Sequence, residues 1–292
     1  MRPTLVTVGS VVLALAVLGL AAGPAGATTI NATGDPAHDC LEWGISPGAY
    51  GDSSQWTPKA GIFYAADDTP PTQDYVNPGH GGQTFDAEAI YFTRDRDYAY
   101  FAVVSGMPPT GATVGGTLYR PGDIAIDLLG DGIPRECGIA VTSHDGLTPG
   151  GVYHPLTWQT TAGFPVNAPT LIAGASTRLW HADGANLSYL LVYDGSEHGD
   201  YAGNDHYLIE ASVPLSALGL APGNTFSVHW TASCGNNAIN LTCQIPPPPP
   251  ENPPPGSDVP EPATAMLLGG GLLAALIARR RKNARHANAV KS

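Results

Sequence analysis

Glycine and proline interrupt this chain so often that no long segment keeps the period of an α-helix. The 292 residues include 36 Gly and 28 Pro, and both residue types favour turns over helix interiors. Aromatic and β-branched runs lie between the turns, as in short strands. Many short strands joined by Gly/Pro turns predict an all-β fold, an antiparallel, jelly-roll-like β-sandwich.

Two apolar runs, residues 88–92 and 98–104, give the clearest strand prediction. Arg94-Asp95-Arg96-Asp97 separates them, and we expect this segment to be the solvated tip of a β-hairpin. A second pair of strands is expected at 123–129 and 137–141, around a Gly130-Asp131-Gly132 turn. Further strands are expected at 61–65, 178–181, 188–193, 206–213 and 225–231, and one helical turn at 214–219.

The amino-terminal segment, residues 1–27, predicts a cleavable secretory signal peptide. Arg2 precedes an apolar core at 11–18, and Ala25-Gly26-Ala27 offers the small residues that a signal peptidase accepts. The mature chain would begin near Thr28, and the alternative is an uncleaved membrane anchor. Residues 28–245 then suffice for one β-sandwich domain.

The carboxyl-terminal region predicts a stalk followed by a short membrane segment. Residues 246–258 form a proline-rich linker that favours extended polyproline II. After Pro260-Glu261-Pro262, an apolar run at 263–278 spans roughly 24 Å as a helix, shorter than a hydrocarbon core of about 30 Å. Such a run suits a single, transient transmembrane helix. The positive-inside rule leaves the following residues in the cytoplasm: Arg279, Arg280, Arg281, Lys282 and the tail 286–292.

The order of these features resembles the PEP-CTERM sorting signal of Gram-negative bacteria, over residues 259–285. The resemblance implies recognition by exosortase and cleavage near Pro260-Glu261-Pro262, after export by the Sec and signal peptidase machinery. It implies a secreted or cell-surface protein with a transient inner-membrane precursor, in bacteria that make exopolysaccharide. The tail alone is also similar to a carboxyl-terminal segment of ice-binding proteins, which carries no implication of ice binding.

The charge distribution excludes nucleic acid as a partner of the globular part. Between residues 28 and 262 the chain has six bases and 25 acids, a net charge of −19, while the other seven bases lie in the two terminal segments. A surface this acidic repels nucleic acid and anionic lipid.

The even number of cysteines, Cys40, Cys137, Cys234 and Cys243, suggests disulfides in an exported chain. Cys234 with Cys243 closes the shortest loop, which would leave Cys40 to pair with Cys137. The alternative is four free, buried thiols.

Three aspartates, Asp123, Asp127 and Asp131, form a candidate calcium site. They place carboxylate oxygens near one turn, and Ca²⁺ prefers six to eight such ligands. The spacing differs from an EF-hand loop, so the alternative is a solvated strand face. Structural Ca²⁺ is the only cofactor that the sequence suggests.

The body of the chain resembles family 9 carbohydrate-binding-like sandwiches at its charged-tip hairpin and at the strands 122–127 and 209–214. We therefore expect a non-catalytic binding or structural module, with carbohydrate or exopolysaccharide as its ligand. Chains of this kind use aromatic faces on sugar rings, and the candidates are Trp43, Trp56, Trp158 and Trp180. The alternative role for each Trp is packing in the core or in a loop.

Catalytic motifs are missing from the sequence. It has no GxSxG, no HExxH and neither a Walker nor a dinucleotide loop. We therefore do not expect an enzyme, and the alternative function is a secreted hydrolase acting on an extracellular polymer.

Overall fold

A computed structural model describes residues 29–48, 53–67, 81–129, 137–154, 157–161, 168–173, 177–180, 186–198 and 204–245. These residues all belong to the first of two compact units, Met1–Pro249. The predicted signal peptide, proline-rich linker and carboxyl-terminal membrane segment lie outside them. Within these ranges, no helix has the length and apolar character needed to cross a membrane.

The described residues are mostly β-strands, with one α-helix, α1 (Pro36–Trp43), and 3-10 turns at Ser53–Trp56, Gln83–Phe85 and Leu215–Ala217. The strands are β1 (Phe63–Ala66), β2 (Ala87–Arg94), β3 (Tyr98–Ser105), β4 (Ala112–Val114), β5 (Thr117–Tyr119), β6 (Ile124–Leu128), β7 (Cys137–Ile139), β8 (Val152–His154), β9 (Thr157–Thr160), β10 (Pro169–Ala173), β11 (Thr177–Trp180), β12 (Leu187–Tyr193), β13 (His206–Pro214), β14 (Thr225–Thr231) and β15 (Ala238–Gln244).

Two larger sheets and two small ones contain these strands. A five-stranded sheet has the order β1-β2-β3-β13-β12, and a six-stranded sheet has the order β11-β8-β7-β6-β14-β15. The small sheets are the pairs β9–β10 and β4–β5. Strand pairing is antiparallel in the described sheets, which confirms the expected all-β antiparallel class.

The two larger sheets share one apolar core, which we call the inter-sheet core. Phe92 on β2 and Phe226 on β14 meet edge to face with ring centroids 4.8 Å apart. Both rings are fully buried, as is Trp230, and burying such side chains stabilises each by about 1.5–3 kcal/mol. Other members are Ile90, Phe101, Val103, Ile124, Ile126, Ile209, Val228, Ile239 and Leu241.

The five-stranded sheet is also covered on its other face, by α1 and the segments beside it. Asp35 caps the amino end of α1, where its side chain accepts a hydrogen bond from the Ala37 amide. Gly44 caps the carboxyl end with φ 78°. This helix-side core contains Ile30, Cys40, Trp43, Ile45, Trp56, Ile62, Ala89, Tyr91, Tyr100, Ala102, Val104 and Leu208. Because both faces are covered, every residue of β2 is buried.

The six-stranded sheet is covered on its outer face by the β9–β10 pair. Ile172 and Trp158 lie over Gly138, where an added Cβ would come within 2.7 Å of both side chains. This outer core also contains Ala140, Leu147 and Tyr153. Gly138 is therefore required for close approach of the two layers.

The β4–β5 hairpin contacts the inter-sheet core at its base, through Ala112 and Tyr119, and its turn lies away from that core. Its turn consists of Gly115 and Gly116, with φ 58° and 82°, the conformation that a two-residue hairpin turn needs. An added Cβ on either glycine would meet no described atom within 4 Å. Val114 and Leu118 beside the turn are exposed.

The predicted hairpin at 88–104 is confirmed as β2 and β3, with one correction at its tip. Asp95, Arg96 and Asp97 lie outside the strands, as expected, but Arg94 ends β2 and is only 3 % exposed. The pKa of its guanidinium is lowered because burial removes water from the charge. The expected turn at Gly130-Asp131-Gly132 lies outside the described residues.

Candidate functional site

A pocket of about 400 Å³ opens at the end of the five-stranded sheet where β13 extends beyond β12. The first residue of β12 pairs with Ala211, so Ser212 lies at the edge and donates its backbone N–H to the Asn186 carbonyl, 2.9 Å away. The lining residues come from the amino-terminal segment, α1 and four strands or strand ends: Thr29, Ile30, Asn31, Ala32, Trp43, Tyr98, Tyr100, Phe101, Trp180, Asn186, Glu210, Ala211 and Ser212.

Glu210 is the one carboxyl among the described lining residues, and it is only 2 % exposed. The Trp43 indole N–H donates to Oε1 at 2.6 Å, and the Ser188 hydroxyl donates to Oε2 at 2.7 Å. Burial raises the pKa of Glu210 to about 7, and hydrogen-bonding contact with the Asp39 carboxylate adds to the rise. Glu210 is therefore largely protonated below neutrality, which is the condition for two carboxyl groups to lie in contact.

Asp39 on α1 keeps the negative charge of this pair. It accepts from the Thr33 amide at 2.8 Å, from the Thr33 hydroxyl at 2.9 Å and from the Gly34 amide at 3.0 Å. Burial raises the pKa of Asp39, but these hydrogen bonds outweigh it and the net shift is downward. Asp39 thus holds the segment before α1 in the position where it lines the pocket.

Aromatic side chains form the rim and one wall of the pocket. Tyr98 is 41 % exposed and Trp180 is half-buried, whereas Trp43 and Tyr100 are buried. The Tyr100 hydroxyl donates to Asp95 Oδ2 at 2.5 Å, which fixes that ring at the hairpin tip. The described lining contains no Lys, Arg or His, so the pocket combines accessible ring faces with uncharged polar groups.

Stacking on a sugar requires an exposed ring face, and two of the four candidate tryptophans have none. Trp43 and Trp56 are fully buried in the helix-side core, so neither can present a face to solvent. Trp158 packs against the outer core. Trp43 and Trp180 both line the pocket, and of these two only Trp180 is partly exposed. Tyr98 was not expected, and its place in the run 98–104 gave only a strand signal.

Of the predicted calcium ligands, Asp123 and Asp127 are described, and they lie too far apart to share an ion. Asp123 is fully buried, and it accepts from the Val141 amide, the Ile172 amide and His144 Nε2, each at 2.8 Å. Asp127 lies four residues further along the strand, about 13 Å from Asp123. A shared calcium ion would need an oxygen of each carboxylate within about 2.6 Å of the ion. Asp131 lies outside the described residues.

Asp123, which directly precedes β6, instead joins the start of that strand to Ile172 on β10 and to Val141 and His144 in the segment after β7. Burial raises the pKa of Asp123, and the hydrogen bond that His144 donates to Asp123 raises the pKa of His144. Across the described ranges, no group of three or more His, Cys, Asp and Glu side chains is arranged to hold a metal ion.

The expected pairing of Cys234 with Cys243 conflicts with the strand register. Thr231 pairs with Ala238 at one end of the β14–β15 hairpin, and Phe226 pairs with Cys243 at the other. Five residues at about 3.4 Å each separate these ends by roughly 17 Å, and Cys234 lies beyond Thr231. A disulfide needs Cα atoms within about 7 Å, and both thiols are free.

The expected pairing of Cys40 with Cys137 is also not seen. Cys40 is a free thiol in the helix-side core, whereas Cys137 lies in the inter-sheet core on the other side of the five-stranded sheet. Burial, with the nearby charges of Glu210 and Asp39, raises the pKa of Cys40 to about 12. This thiol is therefore unreactive at neutral pH.

A second buried polar group, Gln83, Glu88 and His206, was not predicted because its members are far apart in the sequence. The Gln83 amide donates to the Glu88 carboxylate, and His206 Nδ1 lies 3.3 Å from Glu88 Oε1. Trp56 meets the His206 ring edge to face, with centroids 5.1 Å apart. All of these side chains are buried, so the group is closed to solvent. It joins β2 and the 3-10 turn before it to the start of β13.

Comparisons with known proteins assign a motif to the carboxyl-terminal region. The family profile of the PEP-CTERM protein-sorting motif matches residues 258–282. No curated protein matches the chain, and no solved structure matches it. The matched span contains the predicted Pro260-Glu261-Pro262, the apolar run and the basic cluster. This chain therefore carries a PEP-CTERM protein-sorting motif, which indicates an exported, cell-surface-associated protein processed by exosortase.

Proposed function

We propose that the chain is the precursor of a surface or extracellular-matrix protein of a Gram-negative bacterium, and that its globular part is a non-catalytic binding or structural module for extracellular carbohydrate. The motif at residues 258–282 is the observation that carries the export route. The signal at 1–27 delivers the chain to the Sec machinery and is removed by signal peptidase. The apolar run then holds the precursor transiently in the inner membrane until exosortase acts.

The order of segments suits this processing. The basic cluster 279–282 remains cytoplasmic because Lys and Arg resist translocation. Pro260-Glu261-Pro262 then faces outward. The extended linker at 246–258 separates this cleavage signal from the folded module, so that a membrane enzyme has access to it.

The pocket around Glu210 supports a binding role for the module. Its volume falls within the range of about 300–1,000 Å³ that is typical of small-molecule sites. Accessible aromatic faces beside uncharged hydroxyl and amide groups match the surface of a sugar ring. The acidic exported region, with its net charge of −19, disfavours an anionic polymer at the same surface.

A hydrolase is the second candidate, because Glu210 titrates near neutrality in a pocket. Glycoside cleavage needs two carboxyl groups about 5–9.5 Å apart on either side of the bond. Asp39, which contacts Glu210 directly, is fully buried and already accepts from Thr33 and Gly34. The pair therefore has the geometry of a buried structural contact, and the binding module is the better supported function.

Processing at the motif is tested by Glu261→Ala in the producing cells. Loss of this carboxylate should leave an unprocessed, membrane-bound precursor, whereas Glu251→Ala, in the linker, should mature as the parent does. Fractionation and mass spectrometry of both termini provide the measurement. Release of a normally matured Glu261→Ala protein would show that these residues are not the sorting signal.

The binding role is tested with the matured parent protein from the same cells. We expect it to cosediment with the exopolysaccharide of these cells and to leave the chain-length distribution of the polymer unchanged. Shortening of the polymer would favour the hydrolase, and failure to cosediment would contradict a carbohydrate-binding module.

A further inference from the structure

The pocket around Glu210 has an accessible rim, and the one carboxyl group among its described lining residues is already hydrogen-bonded within the protein. These two properties together restrict the ligands that it can bind. Tyr98 and Trp180 border the opening from two different sheets. Asn31 and Ser212 add an amide and a hydroxyl that retain contact with solvent. A ligand in this position would meet ring faces on one side and hydrogen-bonding groups on the other.

Charge excludes anionic ligands from this pocket. The described lining has no cationic side chain, and Asp95 lies beside it, bonded to the Tyr100 hydroxyl. A carboxylate or phosphate would lose its hydration without gaining a positive partner, which costs several kcal/mol or more.

Cationic ligands are disfavoured by the hydrogen bonds of Glu210. Trp43 and Ser188 already donate to its two oxygens at 2.6 and 2.7 Å, and the residue is almost fully buried. An ammonium group would have to break these contacts to pair with the carboxyl group. The hydrogen bonds of Glu210 therefore hold Trp43 and β12 in place.

We propose that this pocket binds a neutral sugar ring, with Tyr98 as the stacking residue at its mouth. The inference rests on the proposed carbohydrate-binding function and adds the site and the charge class of the ligand. The pocket has a volume of about 400 Å³ and is partly open to solvent, so it has room for a sugar ring or a short oligosaccharide. Trp180 and the 29–32 segment form the walls on either side.

The test uses the exported protein and three neutral trisaccharides, of glucose, mannose and galactose, in isothermal titration calorimetry. At least one should bind, and Tyr98→Ala should weaken that binding about fivefold, because an aromatic stacking contact contributes about 1 kcal/mol. Tyr98→Phe should bind as the parent does, since it keeps the ring face. Tyr64→Ala is the matched control: Tyr64 is 42 % exposed on the same sheet and does not line the pocket.

Three results would overturn the site. They are failure of all three neutral trisaccharides to bind, unchanged affinity of Tyr98→Ala, and tighter binding of a glucosamine or galacturonate trimer than of its neutral counterpart. Circular dichroism of each variant excludes unfolding as the cause of lost affinity. If Tyr98→Ala still cosediments with exopolysaccharide as the parent does, the pocket assignment fails and the carbohydrate-binding function stands. If the parent does not cosediment, the function itself fails.

Discussion

Glu210 shows how one buried carboxyl group links local chemistry to stability. Its pKa of about 7, against an ordinary value of 4.5, means that the folded protein retains a proton that the unfolded chain releases. The contribution of Glu210 to the free energy of unfolding is therefore fully present below pH 4.5. It decreases as the pH rises toward 7 and changes no further at higher pH. The corresponding free energy is about 3 kcal/mol.

Glu210→Gln should remove this pH dependence, because the amide mimics the protonated carboxyl and still accepts from Trp43. The difference in free energy of unfolding between variant and parent should move in favour of the variant by up to about 3 kcal/mol between pH 4 and pH 8. Urea unfolding at a series of pH values measures it, with Glu197→Gln on an exposed turn as control. A difference that stays constant with pH would show that Glu210 ionises alike in both states.

At the scale of elements, local signals in the sequence predict strands well and layers poorly. The run 225–231 forms β14 with the expected bounds, and the turn expected at 214–219 contains the 3-10 turn Leu215–Ala217. Helix α1 was missed although Asp35, Pro36 and Gly44 are its start and stop signals, because its apolar residues are too few for a periodic pattern. The covering of β2 on both faces depends on segments far away in the sequence.

The pocket could not be predicted from the sequence either, because its lining residues come from distant segments of the chain. Trp43 and Glu210 are 167 residues apart in the chain and meet only because α1 packs on β13. Asp123 was predicted to be a calcium ligand because three aspartates lie near one turn in the sequence. Only the positions of Val141, Ile172 and His144 show that its oxygens are already occupied.

The β14–β15 hairpin provides a prediction about cysteines. Since its register places Cys234 and Cys243 at opposite ends, no disulfide should join them in the native exported protein. Peptide mapping after alkylation under denaturing, non-reducing conditions should recover both as separately alkylated cysteines. Recovery of a Cys234–Cys243 cross-linked peptide would show that the register of the hairpin differs from the one described.

At the scale of the whole molecule, Ile245, the last described residue, is tied into the folded domain. This residue donates to the Asn224 carbonyl at 2.8 Å and accepts from the Gly223 amide at 3.0 Å, and its side chain is buried in the inter-sheet core. The strand before it, β15, contributes Ile239, Leu241 and Cys243 to the same core. Ile245 is therefore part of the folded domain, and the boundary expected after it stays a prediction.

Truncation tests this boundary. A chain ending at Ile245 should have the melting temperature of the exported protein within about 2 °C. A chain ending at Asn237 lacks β15 and should not fold. The loss of several buried side chains destabilises the domain by more than the 5–15 kcal/mol that typically separates the folded from the unfolded state. Thermal melts followed by circular dichroism give both values. A large loss of stability in the longer chain would place part of the fold beyond Ile245.

The hairpin turn at Gly115 and Gly116 has a practical consequence. Its two glycines touch nothing else in the described structure, and its strands are short and exposed. Loop tips of this kind tolerate insertions. Because the sorting motif indicates an exported, surface-associated protein, we expect a guest peptide inserted between these glycines to be displayed at the cell surface without disturbing the cores.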